Sequence, residues 1–330
     1  MKYTEQRSRA MRPEWAKFKP VNIKELPKED WIAPGHRGCQ GCGTVLPIKL
    51  ALKVLGPNTI AVSSTGCMEI ITSPFPFTSW RIPWIHVAFE NAATVASGIE
   101  AALKALKRKG KISKKENINV VVFAGDGATY DIGLQFLSGA LERGHRLIYF
   151  CLDNEAYMNT GVQRSGGTPI FAHTTTSPAG KVIHGKVGWK KNLDGIVIAH
   201  SIPYFATANP IFFADFMNKV KKASLVDGPS FFHVYSTCPT GWGAKSEDTV
   251  KLCKLATETR IFPLFEVIDG RYYILNRKID KPKPVEEYLK IQRRFRHLKP
   301  EEIELFQNRI NEEYERIVKL CEVFAPPKGE

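Results

Sequence analysis

Oxygen-bearing side chains follow two apolar runs of this sequence and could bind a magnesium ion together with a diphosphate. Gly125-Asp126-Gly127 comes directly after the run NVVVFA, and Asp153-Asn154-Glu155-Ala156 comes directly after RLIYFCL. The 28 positions from Asp126 to Asn154 are the length of one helix and one strand. Because open α/β sheets bind ligands at the carboxyl ends of their strands, we expect both segments at one edge. Carboxylate, amide and backbone carbonyl oxygens are ligands that Mg²⁺ takes beside phosphate.

Four cysteines lie in loops rich in glycine and proline and could bind a metal centre. Cys39 and Cys42 form a CxxC pair, while Cys67 and Cys238 are single. Four thiolates suit either a zinc ion or a [4Fe–4S] cluster. The chain has seven cysteines, an odd number, and begins with no apolar leader, so disulfides are not expected. The remaining three are predicted to be buried thiols: Cys151, Cys253 and Cys321.

An α/β fold with a central, mostly parallel sheet is predicted to position these residues. Continuous apolar runs such as 119–124 and 146–152 are typical of parallel strands that are covered on both faces. A helix predicted to begin near Asp131 would point its N-terminus at a bound diphosphate. Other strands are expected near 59–63, 204–208 and 230–236, and other helices at 44–55, 90–108, 210–223, 284–296 and 300–322.

Three regions are predicted along the chain. An N-terminal arm covers 1–30, an α/β domain that holds both sites covers 31–259, and a C-terminal extension covers 260–330. The extension should begin with a hairpin that turns at Asp269-Gly270.

The composition excludes several classes of protein. With 330 residues, 43% hydrophobic and 24% charged, the chain is neither intrinsically disordered nor a disulfide-rich miniprotein. No apolar run could span a bilayer and no signal-peptide core begins the chain, so we expect a cytoplasmic protein without a membrane partner. The net charge of +14 favours an acidic partner. No nucleic-acid-binding motif accompanies this charge, and nucleic acid is not an expected partner.

Six segments, in this order and spacing, resemble the β subunit of the 2-oxoacid:ferredoxin oxidoreductases, most closely the pyruvate synthase type. They are APGHRGCQGCG (33–43), STGCMEI (64–70), PWIHVAFENAATVASGIEAA (83–102), GDGATYDIGLQFLSGALERGH (125–145), DNEAYMNTGVQRS (153–165) and TCPTGW (237–242). The resemblance covers roughly residues 31–300. It implies a thiamine-diphosphate-binding (pyrophosphate-type) domain with a C-terminal hairpin and helical extension.

The resemblance also implies a role for individual residues. It assigns the [4Fe–4S] ligands to Cys39, Cys42, Cys67 and Cys238, and the Mg²⁺ ligands to Asp126, Asn154 and the carbonyl of Ala156. It assigns thiamine diphosphate contacts to Thr44, Cys67, Gly125, Asp126, Gly127, Ala128, Asn154, Glu155, Ala156, Tyr157, Met158 and Asn159. Among these, Asn159 is counted as catalytic, because its amide would lie near the reacting carbon.

The implied reaction is the oxidative decarboxylation of a 2-oxo acid, most consistent with pyruvate, with coenzyme A to acyl-CoA and CO₂, which reduces ferredoxin. In such a family an α subunit supplies the glutamate that activates the aminopyrimidine and the main substrate contacts, and ferredoxin-like δ and γ subunits carry electrons onward. We interpret Glu90 as a first-turn helix residue. His36 and His86, near the cysteine loops, are interpreted as structural.

Other readings stay open at this point. Within the same family the substrate could be 2-oxoisovalerate or oxalate instead of pyruvate. In another class, the chain could be a non-redox thiamine diphosphate decarboxylase component with structural zinc on the four cysteines. A basic nucleic-acid-binding protein with a zinc module leaves the Gly125-Asp126-Gly127 pattern unexplained.

Overall fold

The computed structural model describes residue 15 and residues 18–74 and 76–327, within which eight strands form one mixed sheet. The strands are β1 (Thr59–Ser64), β2 (Trp84–Val87), β3 (Asn119–Gly125), β4 (Ile148–Asp153), β5 (Tyr204–Ala208), β6 (Ser230–Tyr235), β7 (Phe265–Ile268) and β8 (Tyr272–Leu275). Their order is β2-β1-β3-β4-β6-β5-β7-β8. The strands β1 to β6 run parallel to one another. Strand β7 is antiparallel to β5, and β8 is antiparallel to β7. The predicted α/β class is confirmed.

Helices alternate with the parallel strands. The described helices are α1 (Val45–Leu55), α2 (Cys67–Thr72), α3 (Ala92–Arg108), α4 (Leu134–Glu142), α5 (Leu193–Ile198), α6 (Phe213–Leu225), α7 (Pro239–Trp242), α8 (Thr249–Glu258), α9 (Glu286–Leu289) and α10 (Pro300–Val323). The predicted helices at 44–55, 90–108, 210–223 and 300–322 correspond to α1, α3, α6 and α10. The helices α2, α5, α7 and α8 were not predicted; three of them have only four to six residues, whereas α8 buries an apolar face with Leu252, Leu255 and Ala256 that could have indicated it.

The central strands are buried on both faces, as their continuous apolar sequences predict. Along β3, Val121 and Phe123 pack into the core on one face of the sheet, while Val120 and Val122 pack into the core on the other. Alternate side chains of a strand point to opposite faces, so a strand with helices on both sides must be apolar throughout.

Two predicted helices differ from the structure. The helix expected from Asp131 begins four residues earlier, with a π-helical turn at Gly127–Ile132 that leads into α4. The single helix expected at 284–296 is wrong: α9 is followed by a separate short 3-10 turn at Arg293–Phe295. The break places Arg294 inside the protein, where its guanidinium lies 4.1 Å from the centre of the Trp242 ring.

Both ends of the described chain pack onto this sheet. Trp15 is buried and its indole N–H donates to the Lys222 carbonyl at 3.1 Å, while the rest of the predicted arm before residue 18 lies outside the described residues. The hairpin at Asp269-Gly270 is confirmed, and its strands β7 and β8 extend the same sheet through β5. Among the described helices, none combines the length and apolar character that crossing a membrane requires.

Candidate cofactor and metal site

Four adjacent strands end at the same edge of the sheet, and each is followed by a predicted site residue. The strands lie in the order β1-β3-β4-β6. Asp126 follows β3 and Asn154 follows β4 directly, while Cys67 and Cys238 come three residues after β1 and β6. Gly125 pairs with Leu152 across β3 and β4, so the two polar segments leave the sheet side by side. The expectation that both segments return to one edge is confirmed.

Three oxygen-bearing groups converge beyond β3 and β4. One terminal atom of the Asn154 side-chain amide lies 3.0 Å from Asp126 Oδ1 and 2.9 Å from the Ala156 carbonyl oxygen. The amide NH₂ can donate to both acceptors, and a 180° rotation would present the amide oxygen to a cation instead. Adjacent ligands of an octahedral Mg²⁺ lie about 3.0 Å apart, since each Mg–O bond is about 2.1 Å. The spacing and chemistry of these donors therefore fit Mg²⁺.

The two neighbouring carboxylates have opposite electrostatic environments. Burial and the nearby Asp153 raise the pKa of Asp126 well above its usual range, although Ser165 donates a hydrogen bond to it. Burial also opposes ionisation of Asp153, but Lys190 and His233 hold the pKa of that carboxyl well below its ordinary value. Lys190 Nζ and His233 Nε2 each lie 2.7 Å from Asp153 Oδ2. Among the described residues, no basic side chain forms an ion pair with Asp126 as Lys190 does with Asp153, although the charge of Lys190 also acts on Asp126.

A small cavity that is partly open to solvent lies beside these oxygens. Eleven of the twelve residues expected to contact thiamine diphosphate line it: Thr44, Cys67, Gly125, Asp126, Gly127, Ala128, Asn154, Ala156, Tyr157, Met158 and Asn159. A Cβ built on Gly125 would meet no atom within 4 Å, so the backbone there is open toward the space where a ligand could approach. The cavity is the natural place for a diphosphate next to the oxygen cluster.

Glu155 is the twelfth residue, and its side chain does not line the cavity. It is buried in the opposite direction, where it forms ion pairs with Arg294 and, at 3.3 Å, with Lys190. The left-handed backbone of this residue, with a φ of 70°, turns the side chain away from its neighbours Asn154 and Ala156. The side chain of Glu155 thus takes part in buried ion pairs, and its contact with the cofactor stays a prediction.

Seven cavity residues were missed by the sequence analysis: Ser64, Thr65, Gly66, Met68, Phe89, Leu152 and Thr160. Four of them belong to the end of β1 and the segment after it. The same reasoning that placed Asp126 at a strand end could have found Ser64, the last residue of β1. The buried Ser64 hydroxyl has no hydrogen-bond partner among the described residues, which is a common sign of a group that meets a ligand.

The four candidate cysteines interact electrostatically with one another. Burial, together with the nearby Cys238, Cys42, Asp126 and Cys39, raises the pKa of the Cys67 thiol to about 12. Burial and two of the same thiols raise the pKa of Cys238 to about 11, against the hydrogen bond from the Gly241 amide. The other three cysteines, Cys151, Cys253 and Cys321, lie in β4, α8 and α10.

Close backbone packing brings the CxxC loop to Cys238. The Gly43 amide donates to the Thr237 carbonyl at 2.9 Å, and a Cβ on Gly43 would lie only 2.4 Å from the Thr237 nitrogen. Glycine is required there, because any side chain would push the two loops apart. Cys42 and Cys238 are consequently held on the same side of the sheet edge, next to Cys67.

The spacing of the cysteines is relevant to the kind of metal they could bind. Within the described ranges, no three Cys, His, Asp or Glu side chains converge closely enough to bind one metal ion. A tetrahedral zinc ion would hold its sulfurs about 3.8 Å apart, since each Zn–S bond is about 2.3 Å. A [4Fe–4S] cube is larger and separates its cysteine sulfurs more widely.

Three further candidates lie near the cavity without lining it. Glu90 precedes α3, whose first turn contains no acidic residue, so the interpretation of Glu90 as a first-turn residue is wrong. His36 accepts a hydrogen bond at Nδ1 from the Gly38 amide at 3.3 Å. His86 Nε2 lies 2.7 Å from the hydroxyl of Thr65, which does line the cavity.

Comparison with known proteins gives consistent results. Residues 64–234 match the family model described as thiamine pyrophosphate enzyme, C-terminal TPP binding domain. Pyruvate synthase subunit PorB of Methanothermobacter thermautotrophicus is 58% identical over 278 residues, which are 84% of this chain and 94% of that protein. Ketoisovalerate oxidoreductase subunit VorB of Pyrococcus abyssi is 48% identical over 310 residues, 93% of this chain and 99% of that protein.

A solved structure supports the fold. The 2-oxoglutarate:ferredoxin oxidoreductase from Magnetococcus marinus, with 2-oxoglutarate, coenzyme A and succinyl-CoA bound, superimposes with a TM-score of 0.52. The alignment covers 72% of this chain and 82% of that chain, at 20% sequence identity. At this identity the comparison establishes the shared architecture alone.

Proposed function

Because this chain belongs to the β subunits of the 2-oxoacid:ferredoxin oxidoreductases, we propose that it binds thiamine diphosphate through Mg²⁺ and carries a [4Fe–4S] cluster. In complex with partner subunits it would oxidatively decarboxylate a 2-oxo acid with coenzyme A, giving acyl-CoA and CO₂ and reducing ferredoxin. Bound thiamine diphosphate would supply the electron sink that decarboxylation needs.

The oxygen cluster at the ends of β3 and β4 carries the proposal. Asp126, Asn154 and the Ala156 carbonyl can present three oxygens to Mg²⁺, and the Asn154 amide lies 3.0 Å from Asp126 Oδ1 and 2.9 Å from the Ala156 carbonyl oxygen. Such an ion usually keeps further positions for phosphate oxygens and water. A π-helical turn begins at Gly127, directly after Asp126, and helix N-termini favour anions.

Asn159 is the proposed catalytic residue. It is exposed on the cavity wall, where its amide could donate to the developing negative charge on a substrate oxygen. Groups of this kind contribute about 3–4 kcal/mol to transition-state stabilisation. Thr44 and Cys67, which also line the cavity, would contact the rings of the cofactor.

The four cysteines lie close enough to influence one another's ionisation. Membership in this family favours a cluster over zinc on these thiolates. Cys67 both lines the cavity and belongs to this group, so a cluster there would lie beside the cofactor and accept electrons directly.

The cavity needs a partner chain to be complete. Its described lining contains one acidic residue, Asp126, and no glutamate, so the carboxylate that activates the aminopyrimidine would come from an α subunit. We propose ferredoxin-like δ and γ subunits as the next electron carriers. The net charge of +14 is compatible with acidic electron carriers of this kind.

Pyruvate is the proposed substrate, since relatives named pyruvate synthase subunit reach 55–58% identity. A second candidate is 2-oxoisovalerate, because relatives named ketoisovalerate oxidoreductase reach 48%. The residues that distinguish the two acids would belong largely to the α subunit.

The test is an assay of the complex purified with its partner subunits. We expect viologen reduction that requires both coenzyme A and a 2-oxo acid, with pyruvate the best substrate among pyruvate, 2-oxoisovalerate, 2-oxoglutarate and oxalate. We also expect visible absorbance that dithionite bleaches. A colourless, zinc-containing chain would contradict the cluster, and viologen reduction without a thiamine requirement would contradict the cofactor site.

A further inference from the structure

We infer that Ser165 restricts Asp126 to a single metal-facing oxygen and thereby makes the site selective for Mg²⁺ over the larger Ca²⁺. This inference rests on the proposed magnesium site. It assigns a positioning role to Ser165, which is fully buried and does not line the cavity.

The hydrogen bonds around Ser165 direct its hydroxyl proton to Asp126. The Gly167 amide donates to Ser165 Oγ at 3.1 Å, which uses an acceptor position of that oxygen. The hydroxyl of Thr168 lies 3.3 Å away but donates to the Glu155 carbonyl at 2.7 Å. Ser165 Oγ is therefore left to donate to Asp126 Oδ2, while Asp126 Oδ1 faces Asn154.

A buried lysine fixes the segment that contains Ser165. Lys186 Nζ contacts three backbone carbonyl oxygens, those of Thr168 at 2.5 Å, Trp189 at 3.3 Å and Gly166 at 3.4 Å. The carbonyls of Gly166 and Thr168 belong to the turn from 165 to 168. These three contacts hold the turn in place.

Gly167, in the same turn, also lies close to the Asp126 side chain. A Cβ on Gly167 would lie 3.1 Å from the Asp126 Cβ and 3.2 Å from Oδ2, so a larger residue there would press on the carboxylate. Together, Ser165 and Gly167 occupy the side of Asp126 that a second metal–oxygen bond would need.

The two ions use carboxylates differently. Mg²⁺ takes about six ligands at about 2.1 Å in strict octahedral geometry, whereas Ca²⁺ takes about 6–8 at about 2.3–2.6 Å and often binds a carboxylate through both oxygens. Holding Asp126 Oδ2 away from the metal favours binding through one carboxylate oxygen, which suits Mg²⁺. Removing the Ser165 hydroxyl should weaken the orientation of Asp126 for Mg²⁺ and release Oδ2 for Ca²⁺.

The experiment measures thiamine diphosphate binding by equilibrium dialysis. The native complex is stripped of thiamine and divalent ions, and Mg²⁺ or Ca²⁺ is then titrated. For Ser165→Ala we expect the half-saturating Mg²⁺ concentration to rise about 10- to 100-fold, as for other residues that orient metal ligands, with a clearly smaller rise for Ca²⁺. In Lys186→Met the half-saturating concentrations of Mg²⁺ and Ca²⁺ should also rise, each by less than in Ser165→Ala. Ser177→Ala, in the same loop but outside this network, should match the wild type.

The outcomes separate this inference from the proposed function. Equal losses for both ions in Ser165→Ala, or no loss for Mg²⁺, would overturn the positioning role. If Ser165→Ala does not fold, as judged by its thermal unfolding without ions, Lys186→Met decides the question: a larger rise for Mg²⁺ than for Ca²⁺ supports the positioning role, and equal rises or no rise for Mg²⁺ overturn it. Asp126→Ala should bind no thiamine diphosphate with either ion. Normal binding by that variant would instead contradict the magnesium site itself.

Discussion

Asp126 and Asp153 show how two identical side chains acquire different roles from their surroundings. Both are almost fully buried, at 1% exposure. Asp153 is compensated by Lys190 and His233, and it needs no further cation. Asp126 receives one hydroxyl from Ser165 and has no basic side chain bonded to it among the described residues. A buried carboxylate without a cation is costly, so Asp126 is the one that a metal ion would stabilise.

Asn159 provides a prediction at the scale of a single residue. Asn159→Ala should lower kcat by about 10²–10³-fold, because it removes a donor to developing charge. Thiamine diphosphate affinity should change little, since Asn159 is not among the metal-facing groups. Single-turnover and steady-state rates, together with cofactor titration, would check this. A parallel loss of cofactor affinity would show that Asn159 binds the cofactor instead of acting on the substrate.

At the scale of elements, the sequence was sufficient for the strands and their carboxyl ends. The apolar run of β3 is long enough to predict a buried strand. Because Asp126 and Asn154 follow the ends of two such strands, the sequence also predicted that they lie at the same edge of the sheet. Long-range contacts were not visible in the same way. Arg294 leaves an expected helix to pair with Glu155, 139 positions earlier, and no local pattern encodes that pair. The role of Ser165 likewise depends on a loop whose folding only the structure reveals.

His233 connects elements of the sheet, and its ionisation should affect stability. It lies in β6, where its ring nitrogens contact Asp194 Oδ1 and Asp153 Oδ2, each at 2.7 Å, and Tyr130 hydroxyl is 3.2 Å from Nε2. Burial opposes the charged ring, but Asp194 and Asp153 raise the pKa of His233 from 6.5 to about 9. The protonated ring therefore stabilises the folded state fully below pH 6.5, and this contribution is lost as the pH rises through about 9.

The corresponding test is thermal unfolding between pH 6 and pH 10. Wild-type protein should lose stability from about pH 7 upward, with a contribution on the order of 3 kcal/mol at stake. His233→Gln should be less stable at pH 7 and should lose less as the pH rises. His200→Gln is the control, because that ring contacts the neutral Ser138 hydroxyl and Ile196 carbonyl. Identical pH slopes for wild type and His233→Gln would contradict the assignment.

At the scale of the whole molecule, sheet topology decides which distant segments meet. In the order β1-β3-β4-β6, the strand ends that lead to Asp126 and Asn154 lie between those that lead to Cys67 and Cys238, and the loops after β1 and β6 bring the two cysteines near each other. The CxxC loop joins them through its backbone contact with Thr237. A cofactor and a cluster placed this way would share Cys67, which lines the cavity, whereas Cys238 lies outside it.

That difference makes Cys238 the better probe of the cluster. Cys238→Ala should lose the visible absorbance and the viologen reduction of the complex, because three thiolates hold the cube less firmly than four. Thiamine diphosphate binding should persist, since Asp126, Asn154 and the cavity are untouched. Iron content and visible absorbance measure the cluster, viologen reduction measures the activity of the complex, and equilibrium dialysis measures thiamine diphosphate binding. Cys321→Ala, which removes a half-buried thiol from α10, should leave all of them unchanged. Full iron content in Cys238→Ala would remove this residue from the proposed ligand set.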